Sequence, residues 1–471
     1  MPSISSLVVS GFVALTLLPG LFAQQTPARG APRDGYDRDL QTVVGAYRLP
    51  SGDPVVIRLA HGGGLVARDL ETGLVVVLDR REAGWFLSGD SVSARFVPDV
   101  GGGARELHWR RSSGGQMVAR RIPLTFHALR FASGEASLEG TLVLPEGAGP
   151  HPAVVVQPGS SWILRESAES LETAITFAAY GIAGFAYDKR GHGASTGEIL
   201  VAFDVTADDA AAAAAALVNR FDVNPDWIGI WGLSQGGWIA PLAAMRTGAI
   251  RYLVLVGAPG TSPARQEIQR ARAKAEAEGL SSADIEAVGR FQELSFRYGR
   301  TGLGWEEYAA ARQAAEGRPW LRWVWSPKDP GFDNFGWGRL NGYHNPLPTL
   351  LALQEPVLAL WGEHDVNVDP EVQRSIFEVA LDAADNPDYT LSVVPDADHV
   401  LRTATSRASA DALDRIAPDV WSTVTRWVLD RTRGPGRSSI TSWEGTDLSG
   451  HRSALDPVRV HSDLDDMALP D

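Results

Sequence analysis

Strands alternate with helices through most of the chain from about residue 126 onward. The apolar strand "HPAVVVQPGSSW" ends in a glycine turn, and the helical segment "ESLETAITFAAYG" and the strand "GIAGFAYD" follow it. An alanine-rich helix, the strand "WIGIWG", a further helix and the strand "RYLVLVGAP" continue the pattern. Because helices that connect such strands cover both faces of a sheet, the pattern predicts an α/β fold with a mostly parallel, doubly wound sheet.

The alternation stops between residues 261 and 350. This segment is first helical and charged ("ARQEIQRARAKAEAEG"), then loop-like and aromatic ("RPWLRWVWSPKDPGFDNFGWGRLNGYHNPLP"). The strand pattern returns at "PVLALWGEHD", before a helix, the strand "DYTLSVVPDADH" and a final helix. We therefore expect residues 126–260 and 351–433 to form one sheet domain that an insertion, residues 261–350, interrupts.

Residues 43–125 have a different texture, with short β-type runs between glycine turns. Alternation and turn spacing predict an antiparallel β-rich accessory domain. The segment "HGGG" at His61–Gly64 joins two of these runs and lies about 170 residues before Ser234, the candidate nucleophile considered below. In lipases such a segment can form an oxyanion loop, but here its position favours a hairpin turn.

The N-terminus has the layout of a secretory signal. Leu7–Ala23 is apolar and uncharged, and polar residues follow it, so residues 1–23 are predicted to be a cleaved signal and the protein secreted or periplasmic. The first six residues lack Lys and Arg, which leaves an uncleaved anchor as the alternative, although a span usually needs about 20 residues. Residues 24–42 look like a linker, and residues 434–471 like a disordered tail.

Composition excludes several classes of function. A formal charge of −14 argues against nucleic-acid binding, which needs a basic surface. The absence of cysteine excludes disulfides, thiolate metal sites and a cysteine nucleophile. No His-Glu-x-x-His or histidine cluster indicates zinc, and "DVNVD" at Asp365–Asp369 is followed by Pro370 where a calcium loop needs glycine. We therefore expect neither a metal nor a cofactor.

The pattern Gly-x-Ser-x-Gly occurs twice, as "GLSQG" around Ser234 and as "GASTG" around Ser195. A nucleophilic serine needs a base and a sharp strand-to-helix turn that presents its oxygen. Ser234 follows an apolar strand and opens an apolar helix, whereas Ser195 has turn residues on both sides. Ser234 is therefore the predicted nucleophile, and Ser195 is predicted to be a loop residue.

An acid and a histidine follow Ser234 in the order that this kind of fold requires. Asp365 stands at the end of the strand segment "LALWGEHD". His399 stands at the end of the next strand segment, "LSVVPDADH", with one helix between the two. The carboxyl ends of parallel strands meet at one edge of a sheet, so the three side chains can meet there. His364, next to Asp365, is predicted to be structural or to lie at the rim of the site.

On these motifs the chain resembles the α/β-hydrolase family over residues 126–432. The segment "YDKRGHGAST" is similar to the Asp-x-Arg-Gly-x-Gly-x-Ser loop of many esterases and of serine aminopeptidase and prolyl oligopeptidase relatives. A β-rich domain before such a hydrolase also resembles exported bacterial hydrolases of uncharacterised substrate. Asp188 and Arg190 of this segment are interpreted as an internal loop-stabilising pair.

The resemblance implies an oxyanion hole made of two backbone N–H groups. One belongs to Gln235, directly after the predicted nucleophile. The other is implied in the loop "PGSS", Pro158–Ser161, where Ser160 matches the family's donor. The family's usual His-Gly-x-Gly loop begins with histidine, and Pro158 stands there in this chain, so a side-chain support of the loop is missing.

The resemblance also implies that residues 261–350 form a cap over the site. The five tryptophans of this segment either pack the core of the cap or line an apolar acyl pocket. They are Trp305, Trp320, Trp323, Trp325 and Trp337.

These features predict an exported serine hydrolase, of carboxylesterase type, that cleaves a small carboxylic ester or a related acyl bond. Ser234, His399 and Asp365 would act as nucleophile, base and orienting acid. A serine peptidase or aminopeptidase on the same fold is the first alternative, and a non-catalytic binding protein is the second. We expect no nucleic-acid partner and no stable membrane span after signal cleavage, while substrate and oligomeric state stay open.

Overall fold

The computed structural model describes residues 38–60, 64–81, 85–88, 92–101, 103–160, 164–407, 415–432, 442–443 and 446–447. The predicted signal and most of the predicted linker and tail lie outside the described residues. The end of the linker forms a short helix, α1 (Arg38–Gln41), and Leu40 of this helix is buried in the core of the adjoining domain. Within the predicted tail, Ser442–Trp443 pairs with Thr446–Asp447.

The N-terminal domain is an eight-stranded antiparallel barrel in which each strand pairs with the next. Its strands are β1 (Gly45–Arg48), β2 (Pro54–Leu59), β3 (Leu65–Asp69), β4 (Val75–Arg80), β5 (Trp85–Ser88), β6 (Val92–Pro98), β7 (Ala104–Arg111) and β8 (Gln116–Arg121). Strand β1 also pairs with β8, so the sheet closes and has no free edge. Tyr47, Leu107 and Trp109 fill the interior, which is therefore a packed core. The expectation of an antiparallel β-domain is confirmed, and its closure into a barrel was not predicted.

The "HGGG" segment lies between two paired strands. Strands β2 and β3 are antiparallel up to the pair Leu59–Leu65, and the N–H of Ala60 donates to the carbonyl of Gly64 at 3.1 Å. The predicted turn at residues 61–63 lies outside the described residues.

The central sheet has eight strands in the order β16-β15-β14-β13-β11-β12-β10-β9. They are β9 (Thr125–Ser133), β10 (Ala136–Leu144), β11 (His151–Gln157), β12 (Ala183–Tyr187), β13 (Val223–Leu233), β14 (Tyr252–Val256), β15 (Val357–Gly362) and β16 (Tyr389–Val394). Pairs β9–β10 and β10–β12 are antiparallel, and the other pairs are parallel. This is the predicted, mostly parallel sheet of the α/β-hydrolase fold.

Helices cover both faces of the central sheet, as its buried strands require. They are α2 (Thr173–Ala179), α3 (Phe203–Val218), α4 (Gly236–Ala244), α10 (Pro370–Ala383) and α11 (Val420–Thr432). Apolar residues of α3, α4 and α10 share one core cluster with the sheet, and those of α2 and α11 share a second cluster on the other face. In the described part of the chain, no helix has the length and apolar character needed to cross a bilayer.

The insertion between β14 and β15 is mainly helical. It contains α5 (Pro263–Ala277), α6 (Ser282–Thr301), α7 (Trp305–Ala314), a 3₁₀ turn (Pro319–Trp323), α8 (Phe332–Asn341) and α9 (Leu347–Leu350). The second half, expected to be loop-like, is irregular at residues 324–331 and 342–346 but also forms the 3₁₀ turn and α8, which were not predicted. Aromatic burial against α6 and α7 stabilises the 3₁₀ turn and α8, although glycines within α8 obscure its helical pattern.

The barrel packs directly against the face of the central sheet that carries α2. Arg58 and Arg68, on β2 and β3, both form ion pairs with Glu172, the residue before α2. Farther along the junction, the N–H of Ile416 donates to the carbonyl of Gly73 at 2.8 Å. The barrel therefore contacts two segments of the domain that contains the central sheet, one before α2 and one before α11.

Candidate active site

Ser234 lies in the sharp turn between the end of β13 and the start of α4. Its φ angle is +52°, in the left-handed region that non-glycine residues rarely adopt. Two backbone bonds hold this conformation: the N–H of Ser234 donates to the carbonyl of Val256 at 2.8 Å, and the N–H of Gly237 donates to the carbonyl of Ser234 at 2.7 Å. A strained residue held by surrounding bonds is typical of functional sites.

The two glycines of this motif are required by close contacts. A Cβ on Gly232 would lie 2.5 Å from the carbonyl oxygen of Gly236. A Cβ on Gly236 would lie 2.5 Å from the carbonyl oxygen of Gln157, at the end of β11. The turn at Ser234 is therefore packed against the neighbouring strand with no room for side chains.

His399 and Asp365 are in direct contact, as their places at neighbouring strand ends predict. Nδ1 of His399 is 2.7 Å from Oδ2 of Asp365, whose side chain is fully buried. The other carboxylate oxygen accepts the N–H groups of Asn367 at 2.7 Å and Val368 at 2.9 Å. Asp365 is thus fixed from both sides, and it favours the imidazole tautomer that carries its proton on Nδ1.

Gly257 joins the serine turn to the histidine. It follows Val256, whose carbonyl accepts the Ser234 N–H, and a Cβ at Gly257 would lie 2.8 Å from Cε1 of His399. Its φ is +55°, which glycine adopts without strain. The end of β14 therefore brings the Ser234 turn and the His399 ring together. Sequence reasoning missed Gly257, although a glycine directly after the strand "RYLVLV" was visible.

The two predicted oxyanion donors lie on neighbouring strand ends. Gln235 is the residue that precedes α4, and Ser160 is half-buried in the loop after β11. Strands β11 and β13 pair in register up to Gln157 and Gly232, so both loops leave the same edge of the sheet. Nζ of Lys189, a residue that sequence reasoning did not single out, donates to the carbonyl of Gly159 in this loop.

Ser195, in the second Gly-x-Ser-x-Gly segment, has a structural environment. Its hydroxyl donates to the carbonyl of Asp188 at 2.7 Å and accepts the N–H of Glu139 at 3.0 Å. Both partners are backbone groups, and Ser195 is 7% exposed. The hydroxyl fastens the loop to strand β10, in agreement with the loop interpretation.

The interpretation of Asp188 and Arg190 as a mutual pair was wrong. The carboxylate of Asp188 accepts hydrogen bonds from the guanidinium of Arg165 and from the backbone N–H of Arg165, the latter at 2.8 Å. Arg190 binds the buried carboxylate of Asp209, and burial raises the pKa of that carboxyl. Each residue still stabilises the loop, but through a different partner, because their side chains leave the loop in different directions.

The five cap tryptophans have three kinds of surroundings. Trp320 and Trp323 are buried in the core of the cap, and Trp305 packs at its edge against Tyr298 and Tyr308. Trp337 instead contacts the core of the hydrolase sheet, with its ring centroid 6.1 Å from that of Phe203. Trp325 is half-exposed. Packing thus accounts for Trp305, Trp320, Trp323 and Trp337, and Trp305 also lines a cavity of the cap with Arg312 and Glu316. Trp325 stays a candidate for a pocket lining.

One group of side chains in the described residues could hold a metal ion. The ligand atoms of Glu363, His364 and Asp396 lie within 4.8 Å of one another, beside the strand ends that carry Asp365 and His399. Both carboxylates are exposed, and Nε2 of His364 is 3.7 Å from Oδ1 of Asp396. This arrangement equally fits a surface ion pair, in agreement with a rim position for His364.

One family model and one curated relative match part of this chain. Residues 150–283 match the family model described as serine aminopeptidase, S33. A polyketide transferase of Penicillium crustosum, claH, is 31% identical over 125 residues, which are 26% of this chain and 40% of the relative. The chain therefore matches less than half of the length of that curated relative.

Solved structures with a similar fold include an esterase and a peptidase. The esterase Pf2001 of Pyrococcus furiosus is 18% identical, with a TM-score of 0.42 over 66% of this chain and 92% of that one. The proline iminopeptidase of Mycobacterium smegmatis is 17% identical, with a TM-score of 0.40 over 64% of this chain and 98% of that one. The family match covers less than a third of this chain, while the order of the central sheet and the strand–Ser234–helix turn are those of the α/β-hydrolase fold.

Proposed function

We propose that this protein is a serine hydrolase that cleaves carboxylic esters through an acyl-enzyme. The observation that carries the proposal is the contact chain from Asp365 through His399 to the turn that holds Ser234. A buried carboxylate on Nδ1 leaves the opposite ring nitrogen, Nε2, as the base for a serine hydroxyl. A strained serine beside such a base is the arrangement that nucleophilic catalysis needs.

In the proposed reaction, Oγ of Ser234 attacks the ester carbonyl while His399 takes its proton. The N–H groups of Gln235 and Ser160 stabilise the oxyanion that forms. His399 then donates the proton to the departing alcohol, which leaves an acyl group on Ser234. A water molecule, deprotonated by His399, attacks this acyl group and releases the acid, and the proton returns to Ser234.

A serine aminopeptidase is the second candidate, since the matching family model carries that description. An aminopeptidase needs free carboxylates to bind the ammonium group of its substrate. Several carboxylates of the cap already form ion pairs with arginines: Glu267–Arg270, Glu278–Arg322, Asp284–Arg318, Glu293–Arg272, Glu307–Arg297 and Glu316–Arg312. This pairing favours an uncharged acyl substrate, because an unpaired buried ammonium is costly.

The test compares p-nitrophenyl esters of increasing acyl length with aminoacyl p-nitroanilides, with Ser234→Ala as the blank. Amide cleavage makes a stricter demand on proton donation to the leaving group. We expect turnover of short and medium esters, and kcat/KM for the anilides at least ~100-fold lower, about 2.7 kcal/mol in barrier. Anilide hydrolysis of equal efficiency would replace the esterase proposal with the aminopeptidase one.

A fluorophosphonate probe separates both enzymes from the third candidate, a binding protein without catalysis. The probe should label the wild-type protein at Ser234 alone, since labelling needs a serine activated by a nearby base. Peptide mapping identifies the labelled residue. A protein that takes up no probe and turns over no ester would be a binding protein on a hydrolase fold.

We also propose that the protein is exported, on the basis of the apolar N-terminal segment. Expression with and without residues 1–23 in a Gram-negative host, followed by fractionation and N-terminal sequencing, tests this. Export predicts a shortened chain outside the cytoplasm for the complete sequence, and a chain of unchanged length in the cytoplasm for the truncated one.

A further inference from the structure

We propose that Lys189 positions the oxyanion hole by fixing the peptide group that carries the Ser160 N–H. The inference rests on the proposed function, because it concerns the loop that would stabilise the oxyanion in that reaction. Lys189 lies two residues after the end of β12, and its Nζ donates to the carbonyl of Gly159.

The carbonyl of Gly159 and the N–H of Ser160 belong to one peptide unit. That unit is planar and normally trans, so its C=O and N–H point in opposite directions. A donor that holds the carbonyl on one side therefore fixes the N–H on the other side. Lys189 thereby determines the direction in which Ser160 donates, without touching the substrate itself.

The same bond strengthens the donor. A hydrogen bond from an ammonium group is charge-assisted and stronger than one between neutral groups. It polarises the peptide, and a polarised peptide is a better donor at its N–H. Both effects act on the developing oxyanion, where a single well-placed donor can contribute a factor of about 10²–10³ in kcat.

The strand that precedes Lys189 also fixes the base of the loop. The hydroxyl of Tyr187, at the end of β12, donates to Oε1 of Gln157 at 2.5 Å. The backbone of Gln157 packs against Gly236 of the nucleophile turn. With Pro158 in place of the family's histidine, the β12 end supplies the support that the loop itself lacks.

The residue type fits the hydrogen bond to the Gly159 carbonyl. The chain has only three lysines among its 43 Lys and Arg residues, yet one of them stands at this position. An ammonium is a compact donor on a flexible stem, whereas a guanidinium is a planar fork suited to carboxylates. The compact ammonium therefore suits a hydrogen bond to one backbone carbonyl.

Three variants test the proposal: Lys189→Met, Lys189→Gln and Lys189→Arg, with Lys328→Met on the cap as the matched control. For Lys189→Met we expect kcat for the best p-nitrophenyl ester to fall by about 10- to 100-fold, with KM within about threefold of wild type. Gln and Arg retain a donor and should recover part of the loss. Lys328→Met should retain wild-type kcat.

The decisive measurement is inhibition by a trifluoromethyl ketone with the same acyl chain. This inhibitor forms a tetrahedral oxyanion on serine, so its Ki reports on the oxyanion hole, whereas a merely structural defect would not track it. We expect Ki to weaken across the variants by the same factors as kcat/KM. If Lys189→Met does not fold, the Gln and Arg variants carry the comparison.

Wild-type kcat and Ki in the Lys189 variants would overturn the inference and leave the hydrolase proposal intact. Loss of kcat with unchanged Ki would also overturn it, since the defect would lie outside the oxyanion hole. A wild-type protein without turnover and without fluorophosphonate labelling at Ser234 would instead overturn the proposed function.

Discussion

Ser234 and Ser195 occupy the same short pattern, and their hydrogen bonds distinguish them. Ser234 has a left-handed backbone next to His399's supporting glycine, whereas both bonds of the Ser195 hydroxyl go to backbone groups. Pattern matching alone cannot separate them, because flanking glycines serve both a sharp turn and a tight loop. The difference lies in the left-handed backbone of Ser234 and in the backbone partners of the Ser195 hydroxyl.

We predict opposite effects for the two alanine variants. Ser195→Ala should lower the free energy of unfolding by about 1–3 kcal/mol, since it leaves buried backbone groups without a partner, and it should keep probe labelling at Ser234. Ser234→Ala should retain stability and lose several orders of magnitude in kcat. Denaturant unfolding and ester kinetics check both. A stable Ser195→Ala variant that no longer labels would contradict the assignment of the nucleophile.

Gly257→Ala should damage catalysis through the position of His399. The added Cβ would lie 2.8 Å from Cε1 and 2.9 Å from Nδ1 of the ring, and alanine is strained at a φ of +55°. A displacement of a catalytic group by about 1 Å can cost roughly 10²-fold in rate. We therefore expect kcat to fall by at least about tenfold. Gly248→Ala, where a Cβ meets nothing within 4 Å, is the control; equal kcat in both variants would refute the prediction.

At the scale of elements, the strands and helices around the site could be predicted from the sequence. There the local hydrophobic pattern of each segment matches the burial of that segment in the folded protein. The apolar strand before Ser234 and the strand ends at Asp365 and His399 read directly from the sequence. The closure of the barrel through β1 and β8 could not be read, since pairing between distant strands leaves no local pattern. The contact of Lys189 with Gly159 also joins two segments whose proximity only the folded sheet creates.

The cap illustrates the same limit. Its aromatic second half looked irregular because Pro and Gly are poor helix formers, and burial of aromatic side chains against α6 and α7 overrides that weak propensity in the 3₁₀ turn and α8. The tryptophans of the 3₁₀ turn are therefore part of the packed core of the cap. A deletion of this turn would remove part of that core.

We predict that Trp320→Ala destabilises the protein without changing its preference for acyl length. Trp320 is 2% exposed and its ring centroid lies 5.6 Å from that of Phe291. Loss of a buried aromatic side chain typically costs about 3–5 kcal/mol. Thermal unfolding and the ester series measure the two effects. The half-exposed Trp325, changed to Ala, serves as the comparison, and a shifted ester profile in Trp320→Ala alone would assign that residue to the pocket.

At the scale of the whole molecule, the barrel and the hydrolase sheet are joined through buried charge. The Glu172 side chain is 1% exposed and forms ion pairs with both Arg58 and Arg68. Burial lowers the pKa of Arg68, and the Glu172 carboxylate opposes that shift. Glu172 also ends the helical turn Ala168–Glu172, which continues into α2 and follows the loop of Ser160. The barrel therefore anchors the helical turn that leads into α2.

Removing the negative charge at this junction should loosen the barrel from the hydrolase sheet. Glu172→Gln leaves two largely buried guanidinium groups without a counter-charge, and breaking such a buried pair typically costs about 3–5 kcal/mol. We expect a clear drop in Tm and faster proteolysis between the end of β8 and the start of β9. Glu307→Gln, which removes half of an exposed pair with Arg297, should change Tm little. If both variants unfold at the wild-type Tm, the apolar contacts of the junction and the hydrogen bond from Ile416 to Gly73 hold the barrel without these ion pairs.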